Sequence, residues 1–514
     1  MHPSNQHQPQ GIVDPLVARI LSLLKQYRVS ILATLIAGLA AHLFFLSHKL
    51  VTFDDSLFTY GQTFSSGRWG LGILKYLIPP FSMPWFHGLA SLLLMSAAMV
   101  VLVKLYGISN RVGQALLPAS IITCALHTSI FLFMFTSTPY ALAILLAILS
   151  VYYVLRPSTR AFVLSCVCLT LSLSIYQVYI TLVLALLQVS LCLRLLSERA
   201  ITRAEALHWC KRVGLYLFLS LVAYFVVAMG IIALKGGLGA SHYDYAVSTG
   251  NYVPWSEHIT GVFTKFVDLF THGKLGLINT PFSVLLHLIL IVTMVVTVLR
   301  QQWHHGKPWR LAAQALILLV GFPTTIHLFW LMLAPAHWNT LTVYAFAAIY
   351  VLAVALMDRQ CRRWFYDTAA ICLAGITLNN IYYDNRTYLQ VHQQNVNNLA
   401  FYTDLVSHIK LMPELRPGSS LALIGNAHEL VYDTNNGFGF NEIRGAVKLL
   451  NCYSRRDFII RHVGFDIPIW RTSDPEQQRL EADPRVKAMP VYPYHGSIQA
   501  IDSIIVVKLG EPQP

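Results

Sequence analysis

Charged residues are scarce in this chain. Only 12% of its 514 residues are Asp, Glu, Lys or Arg, while 55% are hydrophobic and the mean hydropathy is +0.54. Because soluble proteins carry about 25% charged residues, this composition excludes a soluble globular protein and indicates a multispanning membrane protein. The net charge of +13 comes from Lys and Arg in short loops between apolar segments. These are topology signals, so we expect no nucleic-acid partner.

Cysteine is also sparse. Seven of the eight cysteines lie in or beside apolar segments, and only Cys452 falls in the polar C-terminal region, which therefore cannot form an internal disulfide. No convincing zinc site, Walker loop or dinucleotide fingerprint occurs. The N-terminal residues lack the apolar run and cleavage site of a signal peptide. We therefore expect the first span to serve as an uncleaved signal.

Long apolar runs, in contrast, are abundant. Runs that can cross about 30 Å of hydrocarbon predict eleven transmembrane helices in a domain covering residues 1–383. They are expected near residues 29–50, 85–104, 113–134, 137–155, 161–176, 178–196, 212–234, 281–299, 311–333, 340–357 and 365–383. Neighbouring spans are separated by almost no loop at Ser137-Thr138-Pro139 and at Tyr176-Gln177.

The distribution of Lys and Arg predicts the orientation of these spans. With the basic N-terminal cluster in the cytoplasm, the loops on the cytoplasmic side carry 18 Lys and Arg residues, against 6 in the opposite loops up to residue 383. This is the bias that the positive-inside rule describes. The loops 51–84 and 235–280 are then extracytoplasmic, and so is the C-terminal region.

Two extracytoplasmic regions are predicted to have secondary structure of their own. In loop 235–280, Ser256 is expected to cap a helix with an apolar stripe, which either lies in the membrane interface or packs on neighbouring helices. From Asp384 onward 27 of 131 residues are charged, against 34 of the preceding 383, which indicates a domain boundary. Predicted helices over 388–410 and 441–451 and strands over 421–425 and 503–509 indicate a small α/β domain, 384–514.

The first outer loop holds the residues that most resemble a functional site. It places Asp54 and Asp55 ahead of Arg68 and Lys75, where a helix leaves the bilayer. Ionisable groups cost about 2.5 to 3.5 kcal/mol each at the centre of a membrane helix, so they indicate function by default. A carboxylate here can act as a general base. Arg68 suits bidentate phosphate contact, and Lys75, on the same predicted helix over 66–77, provides a point charge.

Each of these four residues also has a structural interpretation. One aspartate could cap a short helix over SLFTYGQTF, and both cations could be side chains that reach the lipid head groups. The aspartate pair could also bind Mg²⁺ or Mn²⁺, but two ligands do not define a site, and we assign no metal.

Aromatic and polar residues predict a sugar pocket beside these charges. Tyr60, Gly67 and Trp69 lie in the same loop, and Tyr176 and Gln177 are predicted on the same side of the membrane. Aromatic faces suit sugar rings, although they also form belts at membrane interfaces. Tyr176 and Gln177 could equally serve helix packing.

Four blocks of the sequence resemble a known family. These are FDDSLFTYGQTFSSGRWG, SIYQVYI, NNLAFYTDLVSHIK and MPVYPYHGSIQAIDSIIVVKLG. They resemble the GtrII-type serotype-converting glucosyltransferases, which are bacterial and phage-encoded membrane enzymes of the GT-C superfamily. The resemblance covers most of the chain, and the block from Asp-Asp to Gly-Arg-Trp is its distinctive part.

The resemblance implies a polytopic GT-C-like fold and a donor of the undecaprenyl-phosphate-glucose type. It implies an O-antigen or similar polysaccharide as acceptor and inverting transfer on the periplasmic face of the bacterial inner membrane, with Asp54 or Asp55 as the base or the group that orients it. Membrane lipids, a flippase and a donor-synthesising protein are the partners that this chemistry implies.

Two other classes of protein compete with this interpretation. A transporter or flippase of lipid-linked sugars is expected to show two similar halves and charges at mid-membrane depth, whereas this chain has no evident repeat and its acids lie at one surface. A polysaccharide sensor would need far fewer spans. We therefore expect a glycosyltransferase, with the transporter as the alternative.

Overall fold

Helices that are apolar on most of their faces make up the greater part of this protein. A computed structural model describes residues 13–52, 63–197, 202–234, 254–271, 274–304, 308–331, 338–359, 362–427, 443, 454–471 and 474–511. Within these residues, eight helices are long and apolar enough to cross a membrane, or nine if one bent pair counts as a span. The prediction of a polytopic α-helical membrane protein is therefore confirmed.

The spanning helices follow the predicted apolar runs. The eight are α2 Arg28–Ser47, α4 Pro84–Tyr106, α7 Met134–Val154, α9 Tyr179–Leu196, α10 Arg203–Leu234, α12 Pro281–His304, α13 Pro308–Ile326 and α14 Thr340–Arg359. The bent pair is α5 Arg111–Ile122 and α6 Ala125–Leu132, which meet at 46°. The short helices α1 Val13–Gln26 and α3 Trp69–Leu74 flank α2 and the first loop.

The two remaining predicted spans are helices of unusual length. The first, α8 Thr159–Ile175, has 17 residues, so it is only about 26 Å long. The second, α15 Arg363–Lys410, has 48 residues and continues without interruption past Asp384. The compositional boundary at residue 384 therefore falls inside a helix, and the helix predicted to start near residue 388 is the second half of α15.

The two predicted short connections differ in the structure. The connection at Tyr176-Gln177 is present, because α8 ends at Ile175 and α9 begins at Tyr179. The other was predicted at Ser137-Thr138-Pro139, but the break lies at Phe133, whose backbone leaves the helical region (φ −93°, ψ 62°), and Pro139 lies inside α7. Pro139 is the sixth residue of that helix, so it cannot donate the backbone hydrogen bond that another residue would give to the Phe135 carbonyl.

A separate helix, α11 Trp255–Thr271, lies in the second long loop. It begins one residue before Ser256, and its first turn closes when the Glu257 amide donates to the Pro254 carbonyl at 2.9 Å. One face buries Val262 and Leu269, while large apolar side chains on the other face remain exposed. An exposed apolar face is what a helix in the membrane interface presents to lipid, so the interfacial interpretation gains support.

The C-terminal region forms a small mixed domain around a three-stranded sheet. The strands are β1 Ser420–Ile424, β2 Ile498–Ile501 and β3 Ile504–Lys508, in the order β1-β3-β2, with β1 parallel and β2 antiparallel to β3. Short helices accompany them, namely α16 Arg455–Phe458, α17 Pro475–Ala482 and α18 Pro484–Lys487. Both predicted strands are present, β2 was not predicted, and the helix predicted over 441–451 lies outside the described residues except for Ile443.

The domain is joined to one end of the bundle, which we call the domain end. Tyr402, Leu405 and Ile409 of α15 pack in the same buried cluster as the sheet residue Leu423. Val51, which follows α2 at the start of the first loop, belongs to that cluster as well. The first loop therefore leaves the bundle next to the C-terminal domain.

At the opposite end, a single carboxylate joins two spans. Asp358 accepts hydrogen bonds from the backbone and side chain of Ser109 (2.9 and 3.1 Å) and of Asn110 (2.8 and 2.6 Å). We predict that Asp358→Ala lowers the free energy of unfolding by about 1 to 3 kcal/mol, because Ser109 and Asn110 lose their hydrogen bonds to a charged carboxylate. Thermal unfolding in detergent measures this change.

Asp367→Ala is the matched control. Asp367 makes an exposed ion pair with Arg363 at 3.6 Å, and such pairs contribute about 0 to 1 kcal/mol. Equal destabilisation by the two substitutions would contradict the assignment of Asp358 as a tie between α5 and α14.

Candidate active site

The described part of the first outer loop begins with a tight turn, residues 63–67. The Arg68 amide donates to the Thr63 carbonyl at 2.6 Å, and the Gly67 amide donates to the Phe64 carbonyl at 3.0 Å. Gly67 has φ +72°, a left-handed conformation that glycine adopts without strain. This reversal ends the turn and starts α3 at Trp69, so the helix is shorter than the predicted 66–77.

A side-chain amide and a phenol hold this turn against the bundle. Gln177 Nε2 donates to the Ser66 carbonyl at 2.7 Å and to the Tyr224 hydroxyl at 2.9 Å, and that hydroxyl donates to the Gly67 carbonyl at 3.0 Å. A Cβ atom on Gly67 would lie 2.4 Å from the Tyr224 oxygen. The structure therefore brings Gln177 and Gly67 together, as the sequence predicted only in outline, and adds Tyr224, which the sequence did not suggest.

Arg68 is half-buried at the edge of a group of stacked aromatic rings. Its guanidinium carbon lies 4.9 Å from the centre of the Tyr176 ring, and Tyr176 stacks on Tyr140 at 4.7 Å. Such a cation–π contact contributes about 0.5 to 2 kcal/mol, depending on solvent exposure. The rings thus hold a permanent positive charge at the domain end, where it can meet an anionic group.

Trp69 and Lys75 lie at the two ends of α3. Trp69 is only 8% exposed, and its indole N–H has no hydrogen-bond partner among the described residues. Lys75 follows the last residue of the helix, with its Nζ 5.0 Å from the centre of the Tyr76 ring. Since a helix rises about 1.5 Å per residue, the Cα atoms of Arg68 and Lys75 are about 10 Å apart along the axis.

Asp54, Asp55 and Tyr60 lie outside the described residues. The chain just before them is held by the C-terminal domain, because Val51 is buried there. Burial, together with nearby Lys49 and Arg461, lowers the pKa of His462 in that domain to about 4, so this imidazole is neutral at physiological pH. Residues 49–51 thus lie at the C-terminal domain, while the turn at residues 63–68 is fixed by Gln177 and Tyr224 of the helical bundle.

A buried polar path leads from Arg68 into the bundle. Beyond Tyr176, the ring of Tyr179 lies 5.5 Å away, and the ring of Tyr344 follows at 5.3 Å. The hydroxyl of Tyr344 shares a hydrogen bond of 2.9 Å with Nε2 of His127. None of these contacts could be predicted from sequence, because the residues come from three different helices.

The same region contains a buried carboxylate. Asp384 is 1% exposed and accepts a hydrogen bond from the hydroxyl of Thr128, the residue after His127. Its Oδ2 atom has no hydrogen-bond partner within the described parts of the chain. The sequence analysis used Asp384 only as the start of the polar domain. The sequence feature that could have indicated a functional role for Asp384 is its position as a lone acid directly after the predicted span 365–383.

A second cation at the domain end was also missed. Lys265 of α11 lies 5.3 and 5.1 Å from the ring centres of Trp330 and Trp338, and it pairs with Asp268 at 2.9 Å. Three or more His, Cys, Asp or Glu side chains that could hold a metal ion are not grouped anywhere among the described residues.

This architecture defines a class: a polytopic membrane protein with a cation and aromatic side chains at one end of its helical bundle. Comparison with protein families narrows this class to one family: the model of the family described as glucosyl transferase GtrII matches residues 43–356. The chain therefore belongs to the GtrII glucosyltransferase family, a membrane family of the GT-C type, as its sequence blocks suggested. Searches of curated proteins and of solved structures gave no match.

The match includes the first loop and both halves of the contact that holds it. Gly67, Arg68, Gln177 and Tyr224 all fall within residues 43–356. The protein is thus a glucosyltransferase, and its first loop lies within the matched region.

The contact between Gly67 and Tyr224 gives a direct test of the loop position. We predict that Gly67→Ala lowers glucosyl transfer by about tenfold or more, because the new Cβ displaces the turn that carries Arg68, and small displacements in an active site are costly. Transfer activity of membranes normalised to protein amount measures the effect.

Gly107→Ala is the control. Gly107 has φ +67°, close to that of Gly67, but nothing lies within 4 Å of its ideal Cβ position. Both substitutions therefore carry a similar left-handed strain of about 1 to 2 kcal/mol, and only one disturbs the loop. Equal activity of the two variants would show that the position of the turn is unimportant.

Proposed function

We propose that this glucosyltransferase moves glucose from a polyprenyl-phosphate donor to a hydroxyl of O-antigen or a related polysaccharide. The reaction is an inverting displacement at the periplasmic face of the inner membrane. The observation that carries the proposal is the family match across residues 43–356, which includes the first outer loop with its predicted acids and cations. The half-buried Arg68 at the domain end of the bundle supports an anionic, lipid-linked donor.

The base in this proposal is Asp54 or Asp55. The carboxylate accepts the proton of the acceptor hydroxyl while the hydroxyl oxygen attacks the anomeric carbon of glucose. The bond between that carbon and the phosphate oxygen breaks, and polyprenyl phosphate leaves with the electron pair. Attack opposite the leaving group inverts the anomeric centre.

The cations of the loop bind the phosphate. Negative charge builds up on the leaving phosphate oxygen, and a fixed guanidinium beside it stabilises the transition state more than the ground state. Arg68 is suited to this role because the Tyr176 ring holds its side chain in place. Lys75, at the other end of α3, adds a second positive charge for the same head group.

The remaining predicted residues shape the glucose site. Trp69 supplies a buried indole N–H for a sugar hydroxyl, and Tyr60 supplies aromatic surface. Gly67, Tyr176 and Gln177 act by positioning the turn and the guanidinium. Their hydrogen bonds and ring contacts support this role.

Two observations support the periplasmic face. The loops predicted there hold 6 Lys and Arg residues up to residue 383, against 18 on the other side. The first loop leaves the bundle at the domain end, where Val51 packs in the C-terminal domain. Both regions therefore share one face, next to the polysaccharide that we propose as acceptor.

Sided delivery of the donor separates this function from transport. Proteoliposomes receive labelled polyprenyl-phosphate glucose and acceptor on one side only. Labelled glucose on the acceptor, with no donor moved across the bilayer, is the expected result. Movement of the donor without glucosylated product would support the transporter instead.

Removing the base is the sharpest mutational test. We predict that Asp54→Asn or Asp55→Asn abolishes glucosyl transfer while expression stays normal, since an amide keeps the shape but cannot accept the proton. Transfer is measured in membranes, with Asp466→Asn, an exposed aspartate of the C-terminal domain, as the control. Full activity in both loop variants would remove the mechanism.

Replacing the guanidinium tests the phosphate role. We predict that Arg68→Ala lowers kcat by about 100-fold, the usual cost of losing a group that stabilises transition-state charge. Arg68→Lys should keep part of the rate, because a point charge remains but the bidentate contact is lost.

Arg416→Ala, which changes an exposed arginine of the C-terminal region, should have no effect on kcat. If Arg68→Ala changed only the acceptor KM, the guanidinium would not serve the donor phosphate.

A further inference from the structure

A second site lies at the end of the bundle opposite to the candidate active site. A cavity of about 300 Å³ opens there between the last turns of α4, α7, α9 and α14. Its polar lining consists of Tyr106, Tyr152, Arg156, Ser190, Arg194 and Arg359. No Asp or Glu side chain is among the described residues that line it, so three guanidinium groups face one small volume without a carboxylate.

The nearest carboxylate is already engaged. Asp358 precedes Arg359, but its Oδ1 accepts four hydrogen bonds from Ser109 and Asn110, and its Oδ2 accepts one from the Ser109 hydroxyl at 3.2 Å. The Arg194 guanidinium makes no hydrogen bond or ion pair with any described residue, and Glu198 lies outside those residues. The three positive charges are therefore balanced by little that the described chain supplies.

Two of the three arginines, Arg156 and Arg359, are held in position by neighbouring groups. The Arg156 guanidinium carbon lies 4.2 Å from the centre of the Tyr152 ring, and Arg359 lies 3.5 Å from the Tyr106 carbonyl. Arg212 donates to the carbonyls of Val154 and Arg156 at 3.0 and 2.6 Å, which fixes the end of α7. A site that is organised before its ligand arrives loses less entropy on binding.

An apolar chamber adjoins the charged one. A cavity of about 850 Å³ shares Leu155, Arg156 and Arg194 with it. The rest of its lining combines apolar side chains, among them Trp209 and Val213, with polar ones, among them His208 and Arg212. Glu205 also lines this second cavity, but its carboxylate accepts hydrogen bonds from the Thr202 amide and hydroxyl at 2.7 and 3.1 Å. A charged chamber beside an apolar one fits an amphiphile with an anionic head.

We propose that the paired cavities bind the head group of an anionic phospholipid. The phosphate lies among Arg156, Arg194 and Arg359, where several guanidinium donors can contact its oxygens. The glycerol and the first methylenes of the acyl chains lie in the apolar chamber. Basic pockets between transmembrane helices bind anionic head groups in this way, and this end carries most of the loop Lys and Arg residues.

Native mass spectrometry of the purified full-length protein tests the proposal. The protein is mixed with phosphatidylglycerol or with phosphatidylcholine, and the bound fraction is measured below saturation. We expect phosphatidylglycerol to bind preferentially. Each of Arg194→Gln and Arg359→Gln should weaken it about fivefold, the loss expected for one basic residue near a membrane surface.

Arg160→Gln is the control, because Arg160 is an exposed arginine at the same end that does not line either cavity. The single change Arg194→Gln protects the test against misfolding, since no described residue depends on that guanidinium. Equal retention of phosphatidylglycerol by Arg194→Gln, Arg359→Gln and the control would overturn the proposal. Displacement of the lipid by an equal concentration of glycerol 3-phosphate would also overturn it, because the ligand would then be a soluble phosphate.

Discussion

The position of the first outer loop depends on one side-chain amide. Gln177 lies where α8 gives way to α9, and its Nε2 reaches across 111 residues of sequence separation to the Ser66 carbonyl. Tyr224 of α10 completes the contact by donating to Gly67. These bonds fix the loop to α10 and to the connection between α8 and α9, and they thereby set the position of Arg68. A loop held only by lipid contacts could not keep a cation in one place.

The first loop contacts the C-terminal domain at Val51 and the helical bundle at Arg68. Val51, which precedes Asp54 and Asp55 in the chain, packs in the core of the C-terminal domain. Arg68, which follows them, contacts the ring of Tyr176. From Tyr176 the buried path runs through Tyr344 and His127 towards Asp384, on the long helix that carries the domain. Polar groups inside an apolar bundle are costly unless they are paired.

The sequence allowed the helices to be predicted more fully than the site. Apolar runs located the spans because hydrocarbon requires about 20 apolar residues per helix, and Tyr176-Gln177 correctly separated two of them. The helix over 66–77 was predicted too long, because the left-handed Gly67 starts α3 only at Trp69. The contacts of Tyr224 and Asp384 could not be predicted, since they join residues far apart in sequence and leave no periodic pattern. The contact between Trp69 and sugar is a proposal. Because the side chain is buried, the group that we propose to bind a sugar hydroxyl is its indole N–H.

In the mechanism that we propose, a carboxylate activates the acceptor, a guanidinium binds the phosphate, and the transfer is a single displacement. The anomeric configuration of the transferred glucose reports this chemistry directly. Purified protein is supplied with polyprenyl-phosphate glucose of one defined anomer and with polysaccharide, and the product linkage is determined by nuclear magnetic resonance. The account predicts that the product carries the opposite anomer to the donor. A product with the donor's own configuration would require a covalent glucosyl intermediate or a different enzyme class, and would contradict it.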